Sequence, residues 1–278
     1  MSERQTRKSA NRITLEQTFG KNLSFAAAEA YKLLRTNVLF ALPDEDKCRV
    51  IGITSALQGE GKSTTSLNLS YMLAELGHKV LLIEADMRLP TISTRLGLKT
   101  APGLSNLLAG VKSGKGVMQN SGIHENLFVI SAGDIPPNPS ELLGSSQMKT
   151  VVEVMSESVS FIILDLPPIT EVSDALVASK LTNGMIMVVR QNYANRRAVN
   201  EAVRQLKYVD AKLLGFVMTC AGGSGKGSYK KYGSYYGYGY GYGRAGEKAA
   251  GATGRKARTA SGQQRRKDST DRQGSSRG

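Results

Sequence analysis

Cysteine and histidine are scarce in this sequence, which narrows the chemistry that the protein can perform. The 278 residues include two cysteines, Cys48 and Cys220. These lie far apart and match no metal-ligand spacing, so we expect reduced, mostly buried thiols and neither a disulfide nor a zinc site. The two histidines, His78 and His124, stand in no recognisable catalytic pattern. The functional residues must therefore be sought among other side chains.

Long apolar runs are also absent. No stretch approaches the ~18–20 consecutive apolar residues that span a bilayer, and the polar start, MSERQTRKSANR, lacks the apolar run of a signal peptide. We therefore expect a soluble protein of the cytoplasm. With 40% hydrophobic residues, the chain has enough apolar sequence for one sizeable α/β core.

Positive charge is concentrated at the C-terminal end. Residues Ala221 to Gly278 carry 13 Lys/Arg and 3 Asp/Glu, which accounts for +10 of the formal net charge of +14. The rest of the chain has the charge balance of an ordinary soluble domain. We therefore predict a flexible N-terminus over residues 1–20, one folded domain over 21–220, and a disordered, tyrosine-rich and basic tail over 221–278.

Tyrosine is clustered in this tail. Seven of the eleven tyrosines lie in a stretch where Tyr alternates with Gly. They are Tyr229, Tyr232, Tyr235, Tyr236, Tyr238, Tyr240 and Tyr242. Too few aliphatic side chains surround them to offset the entropy of ordering, so we expect their hydroxyls to be accessible to an active site.

The middle of the chain alternates short apolar, β-branched runs with polar turns and helical patterns. This alternation is typical of right-handed βαβ units, which build a mostly parallel sheet covered by helices on both faces. We therefore predict a doubly wound α/β fold. The predicted strands are Val50–Thr54, Val80–Glu84, Leu127–Ser131, Phe161–Asp165, Met185–Arg190 and Leu213–Thr219.

One further helix is predicted before the first strand, from Ser24 to Leu42. It lies outside the βαβ pattern and needs a surface to pack on. Its apolar or small residues on helical spacing are Ala26, Ala30, Leu33, Leu34 and Phe40.

The first strand leads into the glycine-rich loop SALQGEGKST, which precedes a helix. Such a loop turns successive backbone N–H groups toward one point, and the helix N-terminus adds partial positive charge, so a triphosphate is the expected ligand. Ala56 occupies the position where the usual motif begins with glycine. We expect contacts to the nucleotide from Gln58, Gly59, Glu60, Gly61, Lys62, Ser63 and Thr64.

Acidic residues follow two other strands. Glu84 and Asp86 come at the end of the second predicted strand, and Asp165 ends the fourth. Ligands of open α/β sheets bind beyond the carboxyl ends of the strands, so we expect these carboxylates to converge on the glycine-rich loop. Ser63 and Asp86, together with Asp165, are the predicted Mg²⁺ site.

Over roughly Phe25 to Thr219, the sequence resembles the bacterial tyrosine kinases of capsule and exopolysaccharide systems. SALQGEGKST resembles their Walker A motif, IEADMR their second motif, usually D-x-D-x-R, and ILDLPP their Walker B motif. Further matches are the helical stretch with Glu29, Lys32 and Arg35, the sequence Gly103-Leu104-Ser105, and the run AGDIPPNP from Ala132 to Pro139.

The resemblance implies a P-loop NTPase fold of the MinD/ParA type and a tyrosine autokinase that uses ATP and Mg²⁺. By this likeness Lys62 would hold the phosphates and Ser63 would ligate Mg²⁺, while Asp86 and Asp165 would arrange the ion through its water shell. Glu84 stands where the family has its first aspartate, and we expect it to orient or deprotonate the incoming tyrosine hydroxyl.

The same resemblance implies partners. Phosphorylation of the tail would occur between subunits of a ring organised by Glu29, Lys32 and Arg35, where Lys32 replaces the usual first arginine. A separate transmembrane activator, similar to polysaccharide co-polymerases, would hold the kinase at the inner face of the cell membrane. A cognate phosphotyrosine phosphatase would reverse the reaction, and the cycle would regulate polysaccharide synthesis and export.

Two other interpretations stay open. A ParA/MinD-type ATPase switch would share the fold, but such proteins carry an extra lysine in the loop where this chain has Leu57. A nucleic-acid-binding module would use the tail's tyrosines for stacking and its basic residues for phosphate contacts, although we expect no nucleic-acid partner. The basic end beyond Arg244 could also be a linker or a contact for an anionic membrane. Arg190 and Asn192 are a guess for the adenine contacts.

Overall fold

The computed structural model describes residues 19–43, 47–110 and 116–221. Most of the predicted N-terminal segment lies outside the described residues. So does the predicted tail after residue 221, with its seven tyrosines and its basic end. The predictions made for those segments stay predictions.

The described residues form one seven-stranded sheet in the order β3-β4-β2-β5-β1-β6-β7. Neighbouring strands are parallel, except that β3 runs antiparallel to β4. The predicted doubly wound α/β class is therefore confirmed. The strands are β1 (Arg49–Ser55), β2 (Val80–Glu84), β3 (Met118–Asn120), β4 (Leu127–Ile130), β5 (Phe161–Asp165), β6 (Gly184–Arg190) and β7 (Leu213–Thr219).

The central strands are apolar along their whole length because both faces of the sheet are covered. In β5, Phe161 and Ile163 pack into the core on one face, while Ile162 and Leu164 pack into the core on the other. Each of these side chains is buried. A parallel strand covered on both faces reads as a continuous hydrophobic run, which explains why the sequence predicts these strands to within one residue.

The edge strand β3 is absent from the sequence prediction. It has three residues, Met118–Asn120, and pairs with β4. The side-chain amide of its Gln119 accepts a hydrogen bond from Lys99 N and donates one to Lys99 O, at 3.1 and 2.9 Å. A strand so short and polar shows no hydrophobic alternation, so its place in the sheet depends on tertiary contacts.

Helices cover both faces of the sheet. They are α1 (Phe25–Ala41), α2 (Lys62–Ala74), α3 (Ile92–Leu96), α4 (Leu104–Leu108), α5 (Pro139–Leu143), α6 (Ser146–Ser156), α7 (Asp174–Ala178) and α8 (Arg196–Tyr208), with 3₁₀ turns at Gly20–Asn22 and Ser179–Leu181. No helix in the described part of the chain is long and apolar enough to cross a membrane.

Helix α1 forms where the sequence predicts it, but with a different buried face. Ser24 caps it, since its hydroxyl accepts a hydrogen bond from Ala27 N. Tyr31, Leu34 and Val38 pack toward the core that contains α2. Of the five positions predicted from helical spacing, only Leu34 is on this buried side, and Ala26, Ala30, Leu33 and Phe40 are exposed.

The cysteines differ from the expectation of mostly buried thiols. Both are free, but Cys48 is half-buried and Cys220 is exposed. Burial raises the pKa of the Cys48 thiol, while the nearby Ser156 hydroxyl and Arg49 oppose this effect. Cys220 follows the last strand directly and lies outside the sheet, so no packed layer covers it.

Candidate functional site

The glycine-rich loop connects β1 to α2 and has the backbone shape of an anion cradle. Gly59 and Gly61 have φ angles of 78° and 96°, a left-handed conformation that favours glycine. Thr65 N donates to Gly61 O at 2.9 Å and closes the first turn of α2. The preceding N–H groups in this turn have no partner within the helix and face the loop, where the helix dipole adds positive potential.

A buried glutamate holds this loop in shape. Glu60 is fully buried, and its carboxylate accepts hydrogen bonds from Leu57 N at 2.7 Å and Arg190 N at 3.1 Å. Its backbone carbonyl accepts from the Thr219 hydroxyl at 2.7 Å. The loop is therefore tied to the ends of β6 and β7. The sequence indicates Glu60 only as a backbone contact, since nothing local predicts these distant partners.

A buried ion pair lies beside the loop. Lys62 Nζ is 3.9 Å from Asp86 Oδ2, and the two side chains are only 7% and 8% exposed. The other oxygen of Asp86 accepts from Leu89 N at 3.1 Å, which fixes the turn after β2. Lys62 and Asp86 are thus brought together as the sequence predicts.

Asp165 completes this buried cluster from the neighbouring strand β5. Burial raises the pKa of Asp165 to about 6, against hydrogen bonds from Ser63 and Ser66 and the charge of Lys62. Ser66 Oγ donates to Asp165 Oδ1 at 2.8 Å. Burial disfavours the charged form of this carboxyl, and a bound cation would favour it. Asp165 would therefore ionise when a cation binds next to it.

These residues fit a magnesium nucleotide. Among the described residues, no group of three or more His, Cys, Asp or Glu side chains could hold an ion by itself. Mg²⁺ commonly takes one or two protein ligands and completes its shell with waters and nucleotide phosphates. Ser63, Asp86 and Asp165 supply that kind of site next to the phosphate loop.

Glu84 lies at the carboxyl end of β2, opposite Asp165 of β5, and local hydrogen-bond donors enclose it. Its carboxylate is fully buried and accepts from Ile92 N, from Ser93 N and Oγ at 3.4 and 2.8 Å, and from Ala132 N at 3.3 Å. One oxygen accepts from Ile92 N and the other accepts from the three remaining donors, so most of the carboxylate's hydrogen-bonding capacity is taken up by the segments around it. The expected role of Glu84 toward the tyrosine hydroxyl stays a prediction, and the structure shows a carboxylate that fixes the segments after β2 and β4.

Arg88, in the second motif, forms an ion pair with a helix that follows β5. Its guanidinium makes a two-point contact with buried Asp174, at 3.0 and 3.1 Å. Ser140 Oγ also donates to Asp174. Arg88 therefore joins the segment after β2 to α5 and α7. Asp174 thus helps to hold the second motif in place, although no sequence motif indicated it.

Two further motifs pack against each other. Leu104 N and Ser105 N donate to Ser131 O and Ala132 O, and Ser105 Oγ donates to the Asp134 carbonyl at 2.6 Å. A side chain at Gly103 would start 2.3 Å from Gly133 N, so this approach requires glycine. The resemblance named both stretches, and the structure shows that they form one unit beside β4.

Of the residues guessed as adenine contacts, Arg190 lies at the phosphate loop. Its guanidinium donates to Gly59 O at 3.3 Å and lies 5.2 Å from the centre of the Tyr193 ring. Asn192 has a positive φ of 58° and forms the turn between them. Tyr193, which no sequence motif indicates, is half-exposed and borders the loop at Gly59.

The three residues of α1 that are expected to organise a ring have different partners. Lys32 Nζ and Glu29 Oε1 pair at 2.8 Å on the exposed side of α1. Arg35 instead turns toward α2 and donates to Met72 O at 3.0 Å. Arg35 therefore contributes to docking α1, while Glu29 and Lys32 are exposed, and the role of the three residues in a ring stays a prediction.

Known proteins are similar to this chain in sequence and in fold. The AAA domain family model matches residues 48–214. The tyrosine-protein kinase YwqD of Bacillus subtilis is 38% identical over 210 residues, 76% of this chain and 86% of YwqD. The kinase domain of Escherichia coli tyrosine kinase ETK superposes with a TM-score of 0.65 and 29% identity, over 78% of this chain and 80% of that one. MinD of Pyrococcus horikoshii, solved with Mg-ADP, shares the fold at 24% identity and a TM-score of 0.52, over 62% of this chain and 70% of MinD.

Proposed function

The chain belongs to the bacterial tyrosine-protein kinase family, and on that premise we propose that it phosphorylates tyrosines of its own C-terminal segment with Mg·ATP. The observation that carries this proposal is the buried cluster of Lys62, Asp86 and Asp165 at the phosphate loop. The same chain places seven tyrosines between residues 229 and 242, shortly after β7. β7 itself touches the loop through Thr219. A phosphoryl-transfer site and its acceptors thus occur on one polypeptide.

Each group has a distinct task in this proposal. The loop amides and Lys62 bind and orient the phosphates, as a preorganised cation and N–H groups stabilise the charge of transfer. Ser63 would hold Mg²⁺, and Asp86 and Asp165 would act through its water shell. When bound, the ion neutralises charge on the β- and γ-phosphates.

Asp86 is the better candidate for orienting the acceptor hydroxyl. Its carboxylate is beside Lys62, at the phosphate loop, whereas all four donors of Glu84 lie in the segments after β2 and β4. A tyrosine hydroxyl has a pKa near 10, so an acceptor of its proton is needed only as the phosphoryl group is transferred.

We propose that transfer occurs between subunits of a ring. The outer side of α1 supports self-association, because Phe25, Leu33 and Phe40 are 82%, 54% and 81% exposed. Their spacing places them on one stripe with Glu29 and Lys32. Large apolar residues gathered on one exposed stripe are typical of an interface. The initial rate per subunit should rise with protein concentration, whereas transfer within one chain should be independent of it.

The remaining parts of the proposal rest on the family resemblance. They are a transmembrane co-polymerase-like activator that holds the kinase at the inner face of the cell membrane, a cognate phosphatase, and regulation of capsular or exopolysaccharide synthesis and export. Such an activator is expected to stimulate autophosphorylation when its cytoplasmic segment is added to the purified kinase.

The alternative is an ATPase switch like MinD, which has the same fold. Leu57 occupies the loop position where that class carries its extra lysine. Leu57 is half-buried and packs against the core, so it cannot take over that lysine's charge. This difference and the tyrosine cluster favour the kinase.

The deciding experiment replaces the seven tyrosines from Tyr229 to Tyr242 with Phe. Intact-mass measurement after incubation with Mg·ATP should show little phosphate on this variant, while nucleotide binding stays as in the parent. Lys62→Met with its tyrosines intact is the matched control and should also remain unmodified. Parental phosphate levels on the Phe variant would show that the cluster is not the main acceptor.

A further inference from the structure

Arg95 contacts the nucleotide site from a helix that the sequence motifs do not include. It lies in the last turn of α3, and its guanidinium donates to the Thr64 hydroxyl at 2.9 Å. Thr64 is the third residue of α2, in the turn whose N–H groups face the phosphate loop. Arg95 is half-buried, so it reaches the edge of the anion cradle without being enclosed.

Arg95 differs from the two neighbouring cations that are held in ion pairs. Lys62 pairs with Asp86, and Arg88 pairs with Asp174. Within residues 19–43, 47–110 and 116–221, Arg95 forms no salt bridge, and its side chain meets one neutral hydroxyl. A guanidinium has five N–H donors in a planar fork that matches phosphate oxygens. A half-buried cation with a single neutral partner at this place suits an anionic ligand.

Glu84 fixes the N-terminal end of α3. The cap residue of α3, Thr91, makes no capping hydrogen bond with its side chain, and its buried hydroxyl has no partner among the described residues. Glu84 takes over this task by accepting from Ile92 N and from Ser93 N and Oγ. Negative charge at a helix N-terminus also stabilises the helix dipole. Glu84 thus anchors the turn that aims Arg95 at Thr64.

We propose that Arg95 is a second cationic ligand of the bound nucleotide and contacts its α- and β-phosphates, with Glu84 as the positioning residue that acts through α3. This inference rests on the proposed nucleotide site. In loops of this type the lysine reaches the β- and γ-phosphates, and the serine after it binds Mg²⁺. Lys62 and Ser63 thus take the γ-phosphate end, while the loop N–H groups hold the α- and β-phosphates. Arg95 meets Thr64, one residue further along α2, so we assign it to the latter two phosphates.

The test measures Mg·ADP and Mg·ATP affinity by calorimetry. Arg95→Met should weaken both nucleotides roughly 10- to 100-fold, which is the size of one charge-assisted contact. Arg95→Lys should fall between Met and the parent, because it keeps the charge but loses the fork. Arg204→Met is the matched control, since Arg204 is exposed and pairs with Glu201 on α8. It should bind both nucleotides like the parent.

A second variant tests the positioning role. Ser93→Ala removes one donor to Glu84 and should weaken Mg·ADP binding severalfold, but it should add nothing in an Arg95→Met background, because the two residues act through one contact. Additive losses would overturn the link from Glu84 to Arg95.

Three outcomes are distinguishable. Unchanged affinity for both nucleotides in folded Arg95→Met would overturn the assignment of Arg95, and a loss confined to Mg·ATP would move its contact to the γ-phosphate and overturn the α/β placement. Failure of the parent protein itself to bind Mg·ADP or Mg·ATP would instead refute the proposed function. Thermal melting of each variant confirms that it is folded.

Discussion

Replacing Glu84 with glutamine should lower the free energy of unfolding of the protein, but it should not abolish phosphoryl transfer. Both oxygens of Glu84 accept hydrogen bonds, one from Ile92 N and the other from Ser93 and Ala132. A glutamine has one oxygen and one NH₂ group. In the orientation that preserves most contacts, the glutamine oxygen keeps the three hydrogen bonds from Ser93 and Ala132. Its NH₂ group then faces Ile92 N, and because both groups are donors, that hydrogen bond is lost.

The cost of this change can be worked out from that geometry. A buried donor left without a partner costs about 1–3 kcal/mol, and the lost negative charge at the start of α3 adds a fraction of that. We expect a decrease of about 2–4 kcal/mol in the free energy of unfolding. In a domain of this size the melting temperature should fall by roughly 5–15 °C.

The assay combines thermal unfolding with kinase turnover measured well below the melting temperature. A group that moves a proton in the transition state contributes ~10²–10⁴-fold, so a loss of less than about 10-fold in Glu84→Gln is expected from a residue outside the chemistry. Asp86→Asn is the comparison, and it should lose more turnover. An unchanged melting temperature together with a 10²-fold or greater fall in turnover of Glu84→Gln would refute this reasoning.

The other predictions concern the phosphate loop and its carboxyl neighbour. Lys62→Met should abolish autophosphorylation, because the Lys62 ammonium balances the negative charge of the phosphates, while circular dichroism should show an intact fold. Phosphate incorporation by the folded variant would contradict this. Burial raises the pKa of Asp165 to about 6 from an ordinary 3.8, so its stabilisation of the nucleotide-free protein is present at low pH and lost as pH rises through 6. The parent should lose this stabilisation between pH 5 and pH 7, whereas Asp165→Asn has no carboxyl to titrate there. The melting temperature of Asp165→Asn relative to the parent should therefore rise over this range, and a difference that does not change with pH would exclude this pKa. Thr219→Val loses the hydrogen bond to Glu60 O and should weaken Mg·ADP binding roughly 2- to 10-fold. Thr219→Ser keeps the hydroxyl and should bind Mg·ADP like the parent. If Thr219→Val also bound Mg·ADP like the parent, this hydrogen bond would not shape the loop.

The elements that could be predicted from the sequence are those written in local patterns. β5 was predicted from Phe161 to Asp165 and has those bounds, because a strand buried on both faces must be apolar throughout. The meeting of Lys62, Asp86 and Asp165 was also predictable. It requires only that parallel strands present their carboxyl ends at one edge of the sheet.

Helix α1 shows where local patterns fail. Its apolar residues occur on more than one side, so helical spacing alone does not decide which side is buried. The inner side is chosen by contact with α2, where Arg35 donates to Met72 O and Val38 is buried. Phe40 is left 81% exposed for the same reason. The family resemblance grouped Arg35 with Glu29 and Lys32, but tertiary packing separates it from them.

Glu84 and Asp165 show the same limit inside the site. They are direct neighbours in the register of β2 and β5, and alternation along each strand places both on the face that carries α2. Asp165 meets Ser66 on α2 and therefore joins the phosphate site. Glu84, one strand further out, lies beyond α2 and meets the start of α3 instead. Two acidic strand ends thus have different tasks because different helices cover them, and the position of a five-residue helix such as α3 is set by the very carboxylate that it covers.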